Sequence, residues 1–458
     1  MEYCDNKVVN IKIAYIGGGS RGWAWTLMND LAQANDMSGE VYLYDIDFEA
    51  ARYNEIIGNR IDSEKWRYTA VRTIEEALGG ADFVIISILP GTLTEMESDV
   101  HAPEEFGIYQ PVGDTTGPGG FFRALRTVPM MQFFARKIKE CCPDAWVINY
   151  TNPMAVCIGA LYREFPEIKA FGCCHEVFGT QKLLSNALDD VCGIKNAARR
   201  EICVNVVGIN HFTWFTKAQY RNIDLFEVYR QFVDKYYKTG YYTRTAESRS
   251  NSPFGSGARV RFDLFRRFGY IAAAGDRHLA EFLDKDDYLS SPEAVERWMF
   301  ELTPVSWRRA DREKRIAKSK RLLSGEEKFV LHKSGEEGVL QMRALLGLDT
   351  LITNVNLPNV GQIPNLEPGV IVETNATFRA NMLSPVQSGN IPESIYPYVS
   401  RTAEENSRAI DAACSRDKEY AYKVFAEGHL LTGLDMRQRR QLFDIMFENT
   451  KEYLPEFR

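Results

Sequence analysis

The 458-residue chain has no apolar run approaching the roughly 20 residues needed to cross a bilayer. Its first residues, MEYCDNKVVN, carry neither the cationic nor the apolar region of a secretory leader. A cytoplasmic protein with no membrane partner is expected. A basic excess is also missing. Lys and Arg number 55 against 62 Asp and Glu, a formal charge of −7, which leaves no electrostatic footprint for nucleic acid. Nor is there a disulfide framework. The nine cysteines (Cys4, Cys141, Cys142, Cys157, Cys173, Cys174, Cys192, Cys203 and Cys414) are an odd number scattered through a long chain, so reduced thiols are expected, one of them a metal ligand. Internal repeats and low-complexity segments are absent from the sequence. With 45% hydrophobic and 26% charged residues, the composition is that of a globular protein without long disorder, and the length predicts two or three domains.

What is present organises the chain from its first long strand. Ile11, Ile13, Ala14, Tyr15 and Ile16 form an apolar strand, then Gly17-Gly18-Gly19-Ser20-Arg21-Gly22 intervenes before a helical stretch at 23–32. The glycines have G-x-G-x-x-G spacing. Gly17 makes the tight turn, Gly19 lets backbone N–H groups approach a pyrophosphate, and Gly22 lets the helix pack on the strand. Unpaired N–H groups and the helix dipole favour an anion there, with Ser20 and Arg21 in the same turn as further contacts. A glycine cluster alone also marks ordinary turns. The motif gains its meaning from Asp45, which closes a second strand at 41–45 and is placed to take both ribose hydroxyls. A carboxylate repels a 2′-phosphate, so NAD is expected rather than NADP; Arg21, within reach of a phosphate, argues the other way.

The first half keeps a βαβ rhythm: a helix at 48–60, a strand at 66–71, a short helix at 74–78, and a near-continuous apolar run at 81–88. Such a run marks a strand buried on both faces of a parallel sheet. Residues 107–126 hold too much glycine and proline for a regular element before Phe121, where a helix reaching 141 is expected. The loop reads as a ligand-contact surface or as a plain connection. After a strand at 146–150, Asn152 and Pro153 read as N-cap and first helical residue, with ligand binding as the second reading for Asn152. Another strand ends before Cys174-His175-Glu176-Val177, and 204–215 reads as a single strand with Asn210 and His211 in its middle.

A buried cysteine or a lone histidine is most often a core residue. A thiolate at a strand end and an imidazole on a later strand are also ligands that can converge on a divalent ion, leaving positions for substrate oxygens. Beyond residue 216, amphipathic charged helices are expected at 224–238, 293–323, 336–346, 401–427 and 436–453, with strands within 351–374. The expected fold class is α/β: a Rossmann-like, parallel-sheet domain over 1–200, then a mostly helical α+β domain over 201–458 for substrate, metal and oligomerisation.

In order along the chain stand IGGGSRG, YDID, GDTTGPGGFFRALRTVP, NYTNPM, GCCHEV, GINHFTWF and VNLPNVGQIPNL. With these seven motifs the chain resembles glycoside hydrolase family 4, the NAD- and divalent-metal-dependent glycosidases, from Ile11 to about Pro392. The resemblance implies that Cys174 and His211 hold Mn²⁺, that Gly17, Gly19, Ser20, Arg21, Gly22 and Asp45 hold NAD, and that Asn152, His175, Glu176 and Asn210 contact substrate. It also implies hydrolysis by oxidation at C3, deprotonation at C2, elimination of the aglycone, addition of water and re-reduction, outside the usual two-carboxylate scheme. The Cys-His-Glu-Val tetrad resembles that of the α-galacturonidases. A uronate carboxylate beside Glu176 calls for an arginine, with Arg259, Arg261, Arg266, Arg267 and Arg277 as candidates. The base expected from the family's pattern is Asp276, with Asp263 as alternative. A homodimer or homotetramer is implied. The alternatives are an α-glucuronidase, α-galactosidase or α-glucosidase of the same family, an NAD-dependent sugar or hydroxy-acid dehydrogenase, and a non-catalytic NAD-sensing protein.

Overall fold

The computed structural model describes residues 1–62, 64–243 and 253–457. Its first half holds β1 (Glu2–Cys4), β2 (Lys7–Ile16), β3 (Met37–Tyr44), β4 (Trp66–Val71), β5 (Phe83–Ile86), β6 (Trp146–Asn149) and β7 (Lys169–Gly172). The parallel strands lie in the order β4-β3-β2-β5-β6-β7. This is the doubly wound order, with its switch point between β2 and β5. Helices cover both faces, so all four residues of β5 are buried, as the unbroken apolar run requires.

The second half contributes β8 (Ile202–Ile209), β9 (Phe212–Tyr220), β10 (Ile223–Asp224), β11 (Ile271–Ala272), β12 (Leu351–Pro358), β13 (Ile371–Arg379) and β14 (Met382–Pro385). Strands β12, β13 and β14 extend the long sheet in antiparallel fashion, β12 joining β7 through Asn356 and Gly172. The sheet therefore runs across the expected division at residue 200. A second antiparallel sheet forms around β9, which pairs with β8, β10 and β11.

The single helix expected at 401–427 is two, Tyr396–Ser415 and Lys418–Ala426, parted where Arg416 takes φ at +55°, and three further expected elements differ, each for a local reason. The single strand at 204–215 is a hairpin, because Ile209 pairs with Phe212 and His211, with φ at +63°, turns the chain back. The helix expected from Phe121 begins four residues earlier, as Gly117–Cys141. Pro118 is harmless in a first turn, and a Cβ on Gly119 would lie 2.5 Å from the Gly113 carbonyl, so this glycine serves close packing rather than a break. The helix expected at 293–323 is two helices, Pro292–Arg297 and Val305–Ser324, with Pro304 at the junction.

The loop between helix Leu93–His101 and helix Gly117–Cys141 is held from within. Asp99 and Arg126, both fully buried, pair between those helices. The Glu281 carboxylate accepts the N–H groups of Val112 at 2.7 Å and Gly113 at 3.0 Å. Gln110 donates to Glu281 and to Thr116 O and accepts the Gly119 N–H. Burial pushes Glu281 up to about 8 against the pull of those N–H donors. A carboxyl whose folded pKa is raised contributes stability that is full below the unfolded value, about 4.3, and lost as pH rises to the folded one. Across that window, the melting temperature of Glu281→Gln should fall less with pH than that of the wild type. Parallel profiles would show that Glu281 does not titrate in this way.

Candidate active site

The glycine turn sits at the switch point. Gly17 follows β2 with φ at +95°, and a Cβ there would stand 2.0 Å from the Ser87 carbonyl at the end of β5. Glycine is therefore obligatory. Gly22 has a different neighbour from the one expected: its Cβ would meet the Arg315 guanidinium on helix Val305–Ser324 at 2.6 Å, not the strand. Asp45 Oδ2 accepts the Gly19 N–H at 2.8 Å and Oδ1 accepts that of Asp47 at 2.9 Å. Burial pushes the Asp45 carboxyl up, opposed by those donors and by the charge of Arg21. Ser20 Oγ accepts the Trp23 N–H, while the buried Arg21 Nε has no partner. A turn without room for side chains, a helix N-terminus at Trp23 and an acid after β3 fit a dinucleotide.

Cys174 follows β7, and His211 occupies the β8–β9 turn; both are buried. His211 Nδ1 lies 3.1 Å from Thr115 Oγ1, whose hydroxyl donates to Asp114 Oδ1 at 2.7 Å. With that hydroxyl proton committed to Asp114, Thr115 accepts from Nδ1–H, which leaves the Nε2 lone pair of His211 for a cation. Asn210 donates to Glu373 Oε2 at 3.1 Å, and Asn354 donates to Glu373 Oε1 at 2.6 Å and to the Cys174 carbonyl at 3.1 Å. Burial, with Glu373 and Glu176 nearby, pushes the Cys174 thiol up, so a thiolate there needs a cation beside it. Among the described residues no cluster of three or more His, Cys, Asp or Glu side chains could hold a metal by itself. A thiol and one imidazole nitrogen are donors that suit a divalent ion.

Glu176 joins these groups. Its Oε2 accepts the Gly275 N–H at 2.8 Å and its Oε1 lies 3.6 Å from His278 Nε2. Burial raises its pKa, but the fields of His278, His211 and His175 prevail and bring it to about 2. The His278 ring packs on His211 with centroids 3.9 Å apart, and its Nδ1 is buried without a partner. His175 is half-exposed and pairs with Glu336 at 3.2 Å. Asn152 stands near Arg123, which donates to its carbonyl at 2.9 Å. The expected capping role is not taken. Helix Met154–Glu164 begins after Pro153 with no side-chain cap, and the buried Asn152 Oδ1 has no partner, as has Asn210 Oδ1.

Asp276 is not part of this cluster. Fully buried, its carboxylate accepts from the N–H groups of Val260 and Arg261 and from Arg261 Nε, at 3.2 to 3.3 Å. It thus satisfies the first turn of helix Arg259–Phe268, which argues against its expected role as base. Asp263 is engaged by the Tyr237 and Tyr288 hydroxyls. Of the five candidate arginines, Arg259 donates to the Tyr237 and Arg297 carbonyls, Arg261 to Asp276, Arg266 to Asp234 and Arg267 to Asp287. Arg277 feels the charges of Glu176 and Asp114. Sequence reasoning missed His278, Thr115, Asp114 and Glu373 as site residues. Asp114 and Thr115 lay in the glycine-rich loop singled out as a contact surface, and His278 lay two positions from the chosen base. Glu373, on a strand 163 residues from Asn210, gave no local signal.

A model of the family 4 glycosyl hydrolases matches residues 12–190, and one of that family's C-terminal domain matches residues 206–430. The chain is similar to an alpha-galacturonidase of Thermoanaerobacterium saccharolyticum, with 58% identity over 99% of this chain and 98% of that protein. Among solved structures it is similar to lplD of Bacillus subtilis, with TM-score 0.92 and 50% identity over 96% of this chain and 100% of the other. A 6-phospho-alpha-glucosidase from gut microorganisms, solved with NAD and Mn²⁺, shares the fold at TM-score 0.78 and 20% identity, over 98% of this chain and 100% of the other.

Thr115→Val keeps shape but leaves His211 Nδ1–H without its acceptor. Mn²⁺ affinity, measured by titration with the EPR signal of the free ion, should drop by about 10- to 100-fold, the usual loss when the group orienting a metal-binding histidine is removed. Unchanged affinity would mean that Thr115 does not set the imidazole.

Proposed function

Because the chain belongs to glycosyl hydrolase family 4, we propose that it hydrolyses α-galacturonides, with NAD⁺ held at the glycine turn and Mn²⁺ between Cys174 and His211. The observation that carries the substrate class is the full-length similarity, at 58% identity, to an alpha-galacturonidase. The Cys174-His175-Glu176-Val177 tetrad agrees with it. The reading includes a cytoplasmic homodimer or homotetramer, with residues 1–200 supplying the dinucleotide site together with Cys174, Asn152 and Glu176, and 201–458 adding Asn210, His211 and His278.

When bound, NAD⁺ supplies a hydride acceptor and the divalent ion supplies Lewis acidity toward the sugar's C2 and C3 oxygens. The chain's own residues do the rest. Asn152 Oδ1 and Asn210 Oδ1, buried and unpartnered, accept hydrogen bonds from sugar hydroxyls. His278 Nδ1, likewise unpartnered, takes the C2 proton. Glu176 faces His278 Nε2 and holds the ring over His211. Arg123 fixes the Asn152 carbonyl, and the buried loop carrying Thr115 and Asp114 keeps water from the imidazole.

Elimination through C2 predicts that turnover in D₂O leaves deuterium at C2 of the product, read by NMR. His278→Ala should lower kcat by roughly 10²-fold or more, the scale for a positioned base, while NAD⁺ binding survives. Product without deuterium at C2 would remove the mechanism; a fully active His278→Ala enzyme would move only the base. For substrate class, kcat/KM on p-nitrophenyl α-galacturonide should exceed that on the α-galactoside by on the order of 10²-fold, since buried cations are left unpaired by a neutral sugar. Equal efficiencies would exclude the uronide preference.

A further inference from the structure

Three guanidinium groups converge beside the catalytic cluster, and they differ in how fully the protein satisfies them. Arg277 is the most engaged: it donates to the Glu301 carbonyl at 3.1 Å, to the Pro111 carbonyl at 2.5 Å and to the Thr303 hydroxyl. Arg123 is bound to the Asn152 carbonyl, and its NH1 is buried without an acceptor. Arg308, in the helix Val305–Ser324, makes no hydrogen bond or ion pair among the described residues, and its Nε is buried without a partner. Arg277 and Arg308 flank one aromatic ring, with Cζ atoms 5.0 and 6.0 Å from the Phe254 centroid.

The charge of Arg308 acts on both Arg123 and Arg277, and Arg277 also feels Glu176 and Asp114. The cluster therefore borders the acids that surround His211. The acids beside these three cations are Asp114 and Glu176, while Asp99 is spent on Arg126. An N–H donor of a guanidinium buried without an acceptor is costly. A carboxylate presented by the substrate removes that cost through a planar two-point pair.

We propose that Arg308, seconded by Arg277, receives the C6 carboxylate of the sugar and so sets the preference for uronides over neutral sugars. The inference rests on the galacturonidase reading above. It is tested with the full chain, NAD⁺ and Mn²⁺, on p-nitrophenyl α-galacturonide and on its neutral methyl ester. Arg308→Gln should lower kcat/KM on the acid by about 10²-fold or more and leave the ester unchanged, with Arg308→Lys between. Free galacturonate should raise the melting temperature of the wild type, and the shift should be lost in Arg308→Gln. That variant's own melting temperature without ligand should not fall below that of the wild type, and its NAD⁺ affinity should match, since Arg308 makes no hydrogen bond or ion pair among the described residues. A wild type that cleaves the acid and an Arg308→Gln that cleaves it equally well would overturn this assignment alone. A wild type inactive on the acid and unshifted by galacturonate would overturn the substrate reading and this assignment together. Equal losses on acid and ester would show a structural role and also overturn it.

Discussion

One buried carboxylate ties the two sheets together where the chemistry sits. Glu373, on β13 of the long sheet, accepts from Asn354 on β12 and from Asn210 in the β8–β9 turn, while Asn354 also holds the Cys174 carbonyl. Removed from water, such a carboxylate is tolerable only if both its oxygens are satisfied. Two side-chain amides from separate segments do this, so the hairpin turn cannot drift from the end of β7. Cys174 and His211, from two different sheets, are thereby linked through Asn354, Glu373 and Asn210.

The other acids follow the same logic. Asp114 reaches His211 through Thr115, and Glu176 lies against His211 and His278. Glu373, Asp114 and Glu176 surround a thiol and an imidazole, an arrangement that gains most when a dication enters. The guanidinium groups stand on the outer side of these acids. The oxygens of Asn152 and Asn210 stay buried without a partner. Rigid strand ends carry Cys174 and the turn, in keeping with a site whose geometry is fixed before substrate arrives.

The dinucleotide half was legible because its constraints are local. Gly17 must be glycine for reasons found within one turn and its neighbouring strand end, and Asp45 follows at the expected distance on the next strand. The apolar run of β5 announced a doubly covered strand. Cys174 and His211 were singled out through chemistry and family likeness, and the structure buries both. The rest depended on contacts distant in sequence. The turn at Asn210 and His211 was hidden because apolar residues flank it on both sides, and only the pairing of Ile209 with Phe212 reveals it. Asp276 shows where motif transfer and contacts part: its neighbour Gly275 touches Glu176, yet its own carboxylate serves the preceding helix, Arg259–Phe268. The arginines were sought in the segment beside that motif, whereas the unsatisfied guanidinium groups came from helices beginning at Gly117 and Val305.

The central claim is that Cys174 and His211 are brought together as a two-ligand metal pair, with Nε2 of the imidazole free because Thr115 holds Nδ1. Anomalous diffraction from crystals grown with Mn²⁺ tests it directly. The account predicts a single anomalous peak within bonding distance of Cys174 Sγ and His211 Nε2, with Nδ1 still on Thr115 and the remaining positions taken by oxygen ligands. A peak bound through Nδ1, or one away from Cys174, would contradict it.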